Sequence, residues 1–211
     1  MGTGGVNQQA TRLATMTGRP GSLVPRSERR VPGEGGIWII LFGDMAVFGV
    51  FFATFIYERA LAPEEFDESR QMLSIGIGLT NTLILLTSSL FVVTAIHAIR
   101  SSERSAARWL LVGALTCALA FVVLKAVEYT AKISHGNTPN QNTFFLYFFI
   151  LTGLHLFHVL IGIMVLILLL TQVGRVEVGT TKMALVEGGA CYWHLVDLLW
   201  IVLFPLLYLV S

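Results

Sequence analysis

The chain has 211 residues, of which 55% are hydrophobic and only 13% are charged, about half the charged fraction of a typical soluble domain. Its formal net charge of +1 provides neither a basic field for a nucleic acid nor an acidic field for a basic partner. The composition therefore excludes a soluble globular domain and predicts an integral membrane protein that binds no nucleic acid.

Five stretches are long and apolar enough to cross a bilayer as helices, which takes ~20 residues for a hydrocarbon layer of ~30 Å. They are residues 37–61, 72–99, 106–131, 143–172 and 184–210. Backbone groups in lipid must be hydrogen-bonded within the segment, and no stretch shows the alternation of a barrel strand. The predicted fold is an all-α bundle of five transmembrane helices over residues 37–211.

Residues 1–36 are rich in Gly, Ser, Thr and Arg and contain no apolar run. They lack the apolar core of a signal peptide, and we expect a disordered cytoplasmic arm. Five arginines lie in this arm, Arg100 and Arg104 lie in the second loop, and acidic residues dominate the first loop. The positive-inside rule then predicts the N-terminus inside and the C-terminus outside, in the plasma membrane of a bacterium.

Ionisable side chains inside the spans are costly, and each needs a partner or a purpose. Asp44 lies in the first span, where it could be a protonated acid hydrogen-bonded between helices or a proton carrier. Lys125 and Glu128 in the third span are three residues apart on one face, which favours a salt bridge, although Lys125 could instead extend outward to the interface. Asn81 in the second span is a candidate interhelical hydrogen-bonder.

The fourth and fifth spans carry a denser polar pattern. His155 and His158 lie on one stripe of the fourth span, where two imidazoles could bind a metal or a haem, although a closed site needs four ligands. Hydrogen bonds between histidines of different helices are the favoured interpretation. The fifth span adds a second set, predicted to complete a buried polar network with the histidines: Trp193, His194, Asp197 and Trp200.

The chain has two cysteines, Cys117 and Cys191, and both lie in apolar runs. A free cysteine packs as a small hydrophobic residue. We therefore expect membrane-buried residues rather than a disulfide or a metal site.

Residues 192–200 and 152–159 resemble two signatures of subunit III of the haem-copper oxidases, written YWHFVDxVW and TGFHGxHV. Further matches are Asn81-Thr82 with Ser88-Ser89 for the family's NTxxLLxSS pattern, Glu128-Tyr129 for its EY pair, and Glu187 for its Glu before the signature. The resemblance covers residue 37 to the end and implies the short five-helix form of the family.

Two features depart from the usual pattern of that family. Gly43-Asp44 replaces its usual Ser-Glu, so the acid is one methylene shorter. The opening at residues 32–38 is similar to the branch found beside nitric oxide reductases.

The resemblance implies a non-catalytic subunit with no haem or copper of its own, packed against a subunit I that carries both, in a complex that also contains subunit II. It implies that the subunit holds phospholipid in a cleft and supports proton uptake. By the same resemblance, Asp44 faces subunit I, and Glu128 with its neighbour Lys125 belongs to the lipid cleft.

Two other classes of function stay open at this level. A stand-alone membrane cytochrome would use His155, His158 and His194 as haem ligands. A proton transporter would use Asp44 and Glu128, although the chain lacks the internal repeats expected of that class.

Overall fold

The computed structural model describes residues 35–134, 136–173 and 181–209, and every regular element in them is helical. These elements are α1 (Gly35–Leu61), α2 (Pro63–Gln71), α3 (Ile75–Arg100), α4 (Arg104–Ser134), α5 (Thr143–Gln172), α6 (Thr181–Phe204) and a π-helical turn (Pro205–Leu209). The predicted cytoplasmic arm falls almost wholly outside the described residues.

Five of these helices, α1, α3, α4, α5 and α6 with its π turn, are long and apolar enough to cross a membrane. The predicted five-span, all-α fold is confirmed, with each boundary within a few residues of the prediction. The side of the membrane on which each end lies stays a prediction. Because successive spans run antiparallel, α2 and the π turn lie at one end of the bundle and the α3–α4 connection lies at the other.

The short helix α2 was not predicted, because its sequence looked like an acidic loop. Pro63 stands at its first turn with Glu64 and Glu65, and Arg70 stands in its last turn, an arrangement that suits the helix dipole. Its single aromatic side chain, Phe66, is 2% exposed and packs edge-on against Phe55 at 5.3 Å. Helix α2 therefore covers one end of the bundle.

Helix α5 begins at a polar junction with α2. The Asn142 side chain accepts a hydrogen bond from the Phe145 backbone N–H at 2.9 Å and donates another to Ser69 Oγ at 2.6 Å. This N-cap satisfies one backbone donor that the helix leaves free. One asparagine thereby starts α5 and ties it to α2.

Helix α6 is the most buried of the five spans, and it contacts α1, α3 and α5. Close approach depends on glycine at Gly162 of α5, where an added Cβ would lie 2.6 Å from the Trp193 ring. The α-helix gives way to the π turn at Pro205, because proline has no N–H and clashes with the preceding turn. The turn delivers Tyr208 into the core, where it is fully buried.

Candidate functional site

Asp44 of α1 and His158 of α5 form a pair in the membrane-spanning region, with Asp44 Oδ1 3.5 Å from His158 Nε2. The Asp44 side chain is 24% exposed and the His158 side chain 10%. Phe48 packs against the His158 ring, with the ring centroids 5.4 Å apart. The carboxyl group thus lies at the edge of the bundle while the imidazole lies inside it.

The backbone fixes which nitrogen of His158 carries a hydrogen. Nδ1 lies 2.8 Å from the Leu154 carbonyl oxygen, and because a carbonyl can only accept, Nδ1 is the donor. Nε2 then faces the Asp44 carboxyl group at 3.5 Å. The pair therefore places two groups that can bind a proton next to each other in the membrane-spanning region.

A groove of about 400 Å³ runs past this pair along α1, α5 and α6. Besides Asp44 and His158, it is lined by Phe157, Ile161, Val165, Gly189 and Tyr192. Val165 and Gly189 also border a second groove of about 460 Å³, whose other walls are almost entirely aliphatic. The two grooves therefore adjoin at Val165 and Gly189; together they are called the apolar channel, one end of which reaches Asp44.

The predicted salt bridge between Lys125 and Glu128 is confirmed, with Nζ 2.7 Å from Oε2. Tyr208 completes the group, because its hydroxyl donates to Glu128 Oε1 at 2.7 Å and accepts from Lys125 Nζ at 3.1 Å. Lys125 and Tyr208 are fully buried and Glu128 is 2% exposed. These three side chains, here called the Lys–Glu–Tyr triad, satisfy one another, as a buried ion pair requires.

Aromatic rings enclose the triad, with Lys125 Nζ 4.5 Å from the ring centroid of Trp200. Glu128 also borders a cleft of about 670 Å³ at the α2 end, together with Met72, Lys132 and Asn137. Lys132 Nζ donates to the Met72 carbonyl on the wall of that cleft. Glu128 can thus reach the cleft, whereas Lys125 has no exposed surface to offer a ligand.

The predicted network of polar residues is not one hydrogen-bonded system among the described residues. His155 is fully buried between Phe121 and Trp200, with ring centroids 5.7 and 5.1 Å away. Neither of its ring nitrogens has a hydrogen-bond partner in the described part of the chain, and the same holds for the Asn81 amide and the Trp193 indole N–H. These residues contribute to the core by packing.

Two other members of that set, His194 and Trp200, pair with α3 instead. His194 Nδ1 lies 2.6 Å from Ser89 Oγ, and Trp200 Nε1 donates to Thr82 Oγ1 at 3.0 Å. Asp197 is 3% exposed, and neither carboxylate oxygen has a hydrogen-bond partner among the residues described. The histidines of α5 and α6 are therefore not bonded to each other: His158 faces Asp44 of α1, His194 is bonded to Ser89 of α3, and His155 has no hydrogen-bond partner among the described residues.

Sequence reasoning missed Tyr208 and the pairing of Asp44 with His158. A tyrosine buried at the end of a span is a detectable signal, since its hydroxyl requires a partner. The pairing of Asp44 in α1 with His158 in α5 cannot be detected from a local sequence pattern, because the two residues are far apart in the chain. Cys117 and Cys191 are free thiols, each half-buried.

The three histidines of the cytochrome hypothesis do not converge. His158 donates from Nδ1 to the Leu154 carbonyl and faces Asp44 with Nε2, and His194 is bonded to Ser89. The ring of His155 packs between the aromatic rings of Phe121 and Trp200. Among the described residues, no group of three or more His, Cys, Asp or Glu side chains could hold a metal ion. Within the part of the chain that the structure describes, this arrangement does not fit haem ligation by His155, His158 and His194.

Comparison with known proteins identifies the family. The family described as "Cytochrome c oxidase subunit III" matches residues 33–211. A "Probable quinol oxidase subunit 3" of Staphylococcus epidermidis is 28% identical over 176 residues, covering 83% of this chain and 88% of the relative. A protein of the same description from Staphylococcus haemolyticus is 29% identical over 179 residues, with the same coverage.

The five spans make the chain a multi-pass membrane protein, which in a bacterium resides in the plasma membrane. The family match extends over all of these spans. The chain therefore belongs to the cytochrome c oxidase subunit III family and is an accessory subunit of a haem-copper terminal oxidase.

Proposed function

We propose that this subunit packs against subunit I of its oxidase, in a complex that also contains subunit II, and supplies a proton-holding pair at that contact. Haem and copper belong to subunit I in this proposal, and this chain performs no redox chemistry. The observation that carries the proposal is the Asp44–His158 pair, in which the Nδ1 hydrogen of His158 is fixed and the carboxyl group is partly exposed.

The location of the pair supports this role. At ~1.5 Å per residue, Asp44 lies ~13 Å along α1 from Gly35, well inside a ~30 Å hydrocarbon layer. Helix α1 is the least buried span, and apolar side chains such as Phe42, Met45 and Val47 are exposed beside Asp44. A surface of this kind faces lipid or another subunit, so the carboxyl group can meet a partner directly.

The proton step within the pair is internally balanced. A protonated Asp44 transfers its proton to Nε2 of neutral His158, which leaves a carboxylate opposite an imidazolium whose Nδ1 hydrogen stays on Leu154 O. The reverse transfer returns the proton to the exposed carboxyl group. Both forms of the proton-loaded pair are neutral overall, and release of the proton to a partner leaves one carboxylate.

Bound phospholipid is the second part of the proposal. The apolar channel beside Asp44 has the aliphatic walls that suit an acyl chain. The cleft at the α2 end offers Lys132 and Asn137 near Glu128, groups that suit a lipid headgroup. The role of Glu128 in lipid binding stays a proposal, and Lys125 would act only through the charge it places next to Glu128.

The test is purification of the tagged chain in mild detergent from its own membranes, with a visible spectrum and a lipid analysis of the eluate. The expected result is a haem-bearing partner that co-elutes in fixed stoichiometry. The chain expressed alone is expected to be colourless. A haem spectrum from the lone chain, or elution without any haem protein, contradicts the proposal.

The same preparation identifies the electron donor and the electron acceptor. The Staphylococcus relatives are described as probable quinol oxidase subunits, so a quinol is the first donor to test, with cytochrome c as the comparison. Oxygen consumption supports the oxidase. Nitric oxide consumption without oxygen consumption would instead support the alternative suggested by residues 32–38, the equivalent subunit of a nitric oxide reductase.

A further inference from the structure

A second polar groove opens between α3 and α6, away from the Asp44–His158 pair and the Lys–Glu–Tyr triad. Its volume is about 230 Å³. It is lined by Val93, Ile96, His97, Arg100, Glu187, Ala190, Cys191 and His194. No function described above uses these polar groups, and polar groups on a membrane-spanning surface require an explanation.

The mouth of this groove is charged and lies where the last turn of α3 ends. Arg100 Nη2 donates to Glu187 Oε1 at 2.8 Å, and both side chains keep exposed surface, 52% and 23%. His97 stands one turn earlier on the same exposed side of α3. These groups suit the interface between membrane and water.

His194 lines the inner end of this groove. Its Nδ1 lies 2.6 Å from Ser89 Oγ, and Asp197 lies near that hydroxyl without a hydrogen bond to it. Asp197 stands one turn beyond His194 on α6. Counted at ~1.5 Å per residue, Ser89 is ~16 Å from Arg100 and Asp197 is ~15 Å from Glu187, about half the thickness of the hydrocarbon layer.

Asp197 lies beyond His194 and Ser89, and its buried carboxyl group requires a hydrogen-bonding water molecule. It is 3% exposed, and both carboxylate oxygens lack a hydrogen-bond partner among the described residues. A buried carboxyl group left unsatisfied is strongly destabilising. A water molecule needs two to four polar partners and about 30 Å³, so the groove has room for several between Arg100 and His194.

We propose that the α3–α6 groove is a water-filled inlet that brings water from the Arg100–Glu187 mouth, past His194 and Ser89, to the carboxyl group of Asp197. The bound ligand is water, and the proton of Asp197 exchanges with it. In heavy water the O–H bond of the carboxylic acid is replaced by O–D, and the released proton leaves as HDO. The inlet does not depend on the Asp44–His158 pair.

The chain contains a matched pair of native thiols for the test, because Cys191 lines the groove and Cys117 does not, although both are half-buried. The assembled complex in open membrane fragments is treated with a charged methanethiosulfonate reagent. One variant retains only Cys191 (Cys117→Ala) and the other retains only Cys117 (Cys191→Ala). We expect Cys191 to react about tenfold faster or more, because the reactive thiolate forms where water solvates it. Equal rates overturn the inlet.

Depth is tested with neighbouring positions in a background that lacks both native cysteines. Ser89→Cys places a thiol at the inner end of the inlet, and Leu90→Cys places one at the same depth on the exposed apolar side of α3. We expect reagent to label the cysteine at position 89 and not the one at position 90. Labelling of Cys191 but not of position 89 would confine water to the mouth and overturn the extension to Asp197.

An infrared measurement keeps the proposal testable if Ser89→Cys does not assemble. The wild-type complex should show a carboxyl band that is missing in Asp197→Asn and that shifts within minutes of transfer to heavy water. A band that does not shift, or no such band, overturns the proposal.

Discussion

Trp193 of α6 lies against the Cα of Gly162 of α5 so closely that an added Cβ would meet its ring at 2.6 Å. Trp193 is fully buried and its rigid indole cannot move aside without repacking the interface. This contact sets the distance between α5 and α6, the helices that carry the two family signatures. It also yields the most direct prediction for stability.

Gly162→Ala is expected to destabilise the subunit by about 1–3 kcal/mol, the usual cost of overpacking a core. The measurement is the detergent or temperature midpoint at which the purified complex loses the subunit. Gly153→Ala on the same helix is the control, since a Cβ there has its nearest neighbour at 3.9 Å, the Tyr129 hydroxyl. Equal midpoints for the two variants would contradict the predicted contact.

Lys125→Met is expected to cost about 3–5 kcal/mol, because it leaves Glu128 as an uncompensated buried charge. The double variant Lys125→Met/Glu128→Gln should recover a large part of that loss, since no ionised group is then stranded. Thermal unfolding of both variants checks this, and a double variant as unstable as the single one would count against a buried ion pair.

Tyr208→Phe removes one hydrogen bond to each charged member of the triad without changing the ring. Hydrogen bonds to charged groups contribute about 1.5–3 kcal/mol, so a loss of that order is expected in the same unfolding assay. Tyr57→Phe, on an exposed side chain of α1, should leave the midpoint unchanged and serves as the control.

Asp44→Asn is expected to leave assembly intact and to speed the loss of oxidase activity during turnover, because the asparagine cannot exchange a proton with His158. Asp44→Glu retains an ionisable group and should restore most of the lifetime. The measurement is the half-life of oxygen consumption, with Glu68→Gln on exposed α2 as a carboxylate control. Identical half-lives for wild type and Asp44→Asn would show that the pair has no part in proton supply.

The orientation predicted from the arginines can be tested by labelling single cysteines in intact cells, in a background without Cys117 and Cys191. A cysteine introduced at Glu64, on exposed α2, should react with a membrane-impermeant reagent from outside. One introduced at Ser101, in the α3–α4 connection, should react only after the cells are opened. The reverse pattern would place the N-terminus outside.

The sequence by itself determined the five spans. The bilayer thickness sets the length of each apolar run, and a helix satisfies all of its backbone hydrogen bonds within the segment. It also determined the Lys125–Glu128 salt bridge, since three residues of separation place two side chains on one face of a helix. Residues 152–159 and 192–200 were sufficient to predict the family. Each of these conclusions depends on residues close together in the chain.

Only the tertiary structure decided which helices face one another. His158 could have bonded to His194, and the structure instead places it opposite Asp44 and directs His194 to Ser89. Tyr208 joins Lys125 and Glu128 only because the π turn at Pro205 points it inward. The helical period determines which residues share a face of each span. Which other helix packs against that face depends on how five similar apolar helices fit together, and that information is spread over the whole chain.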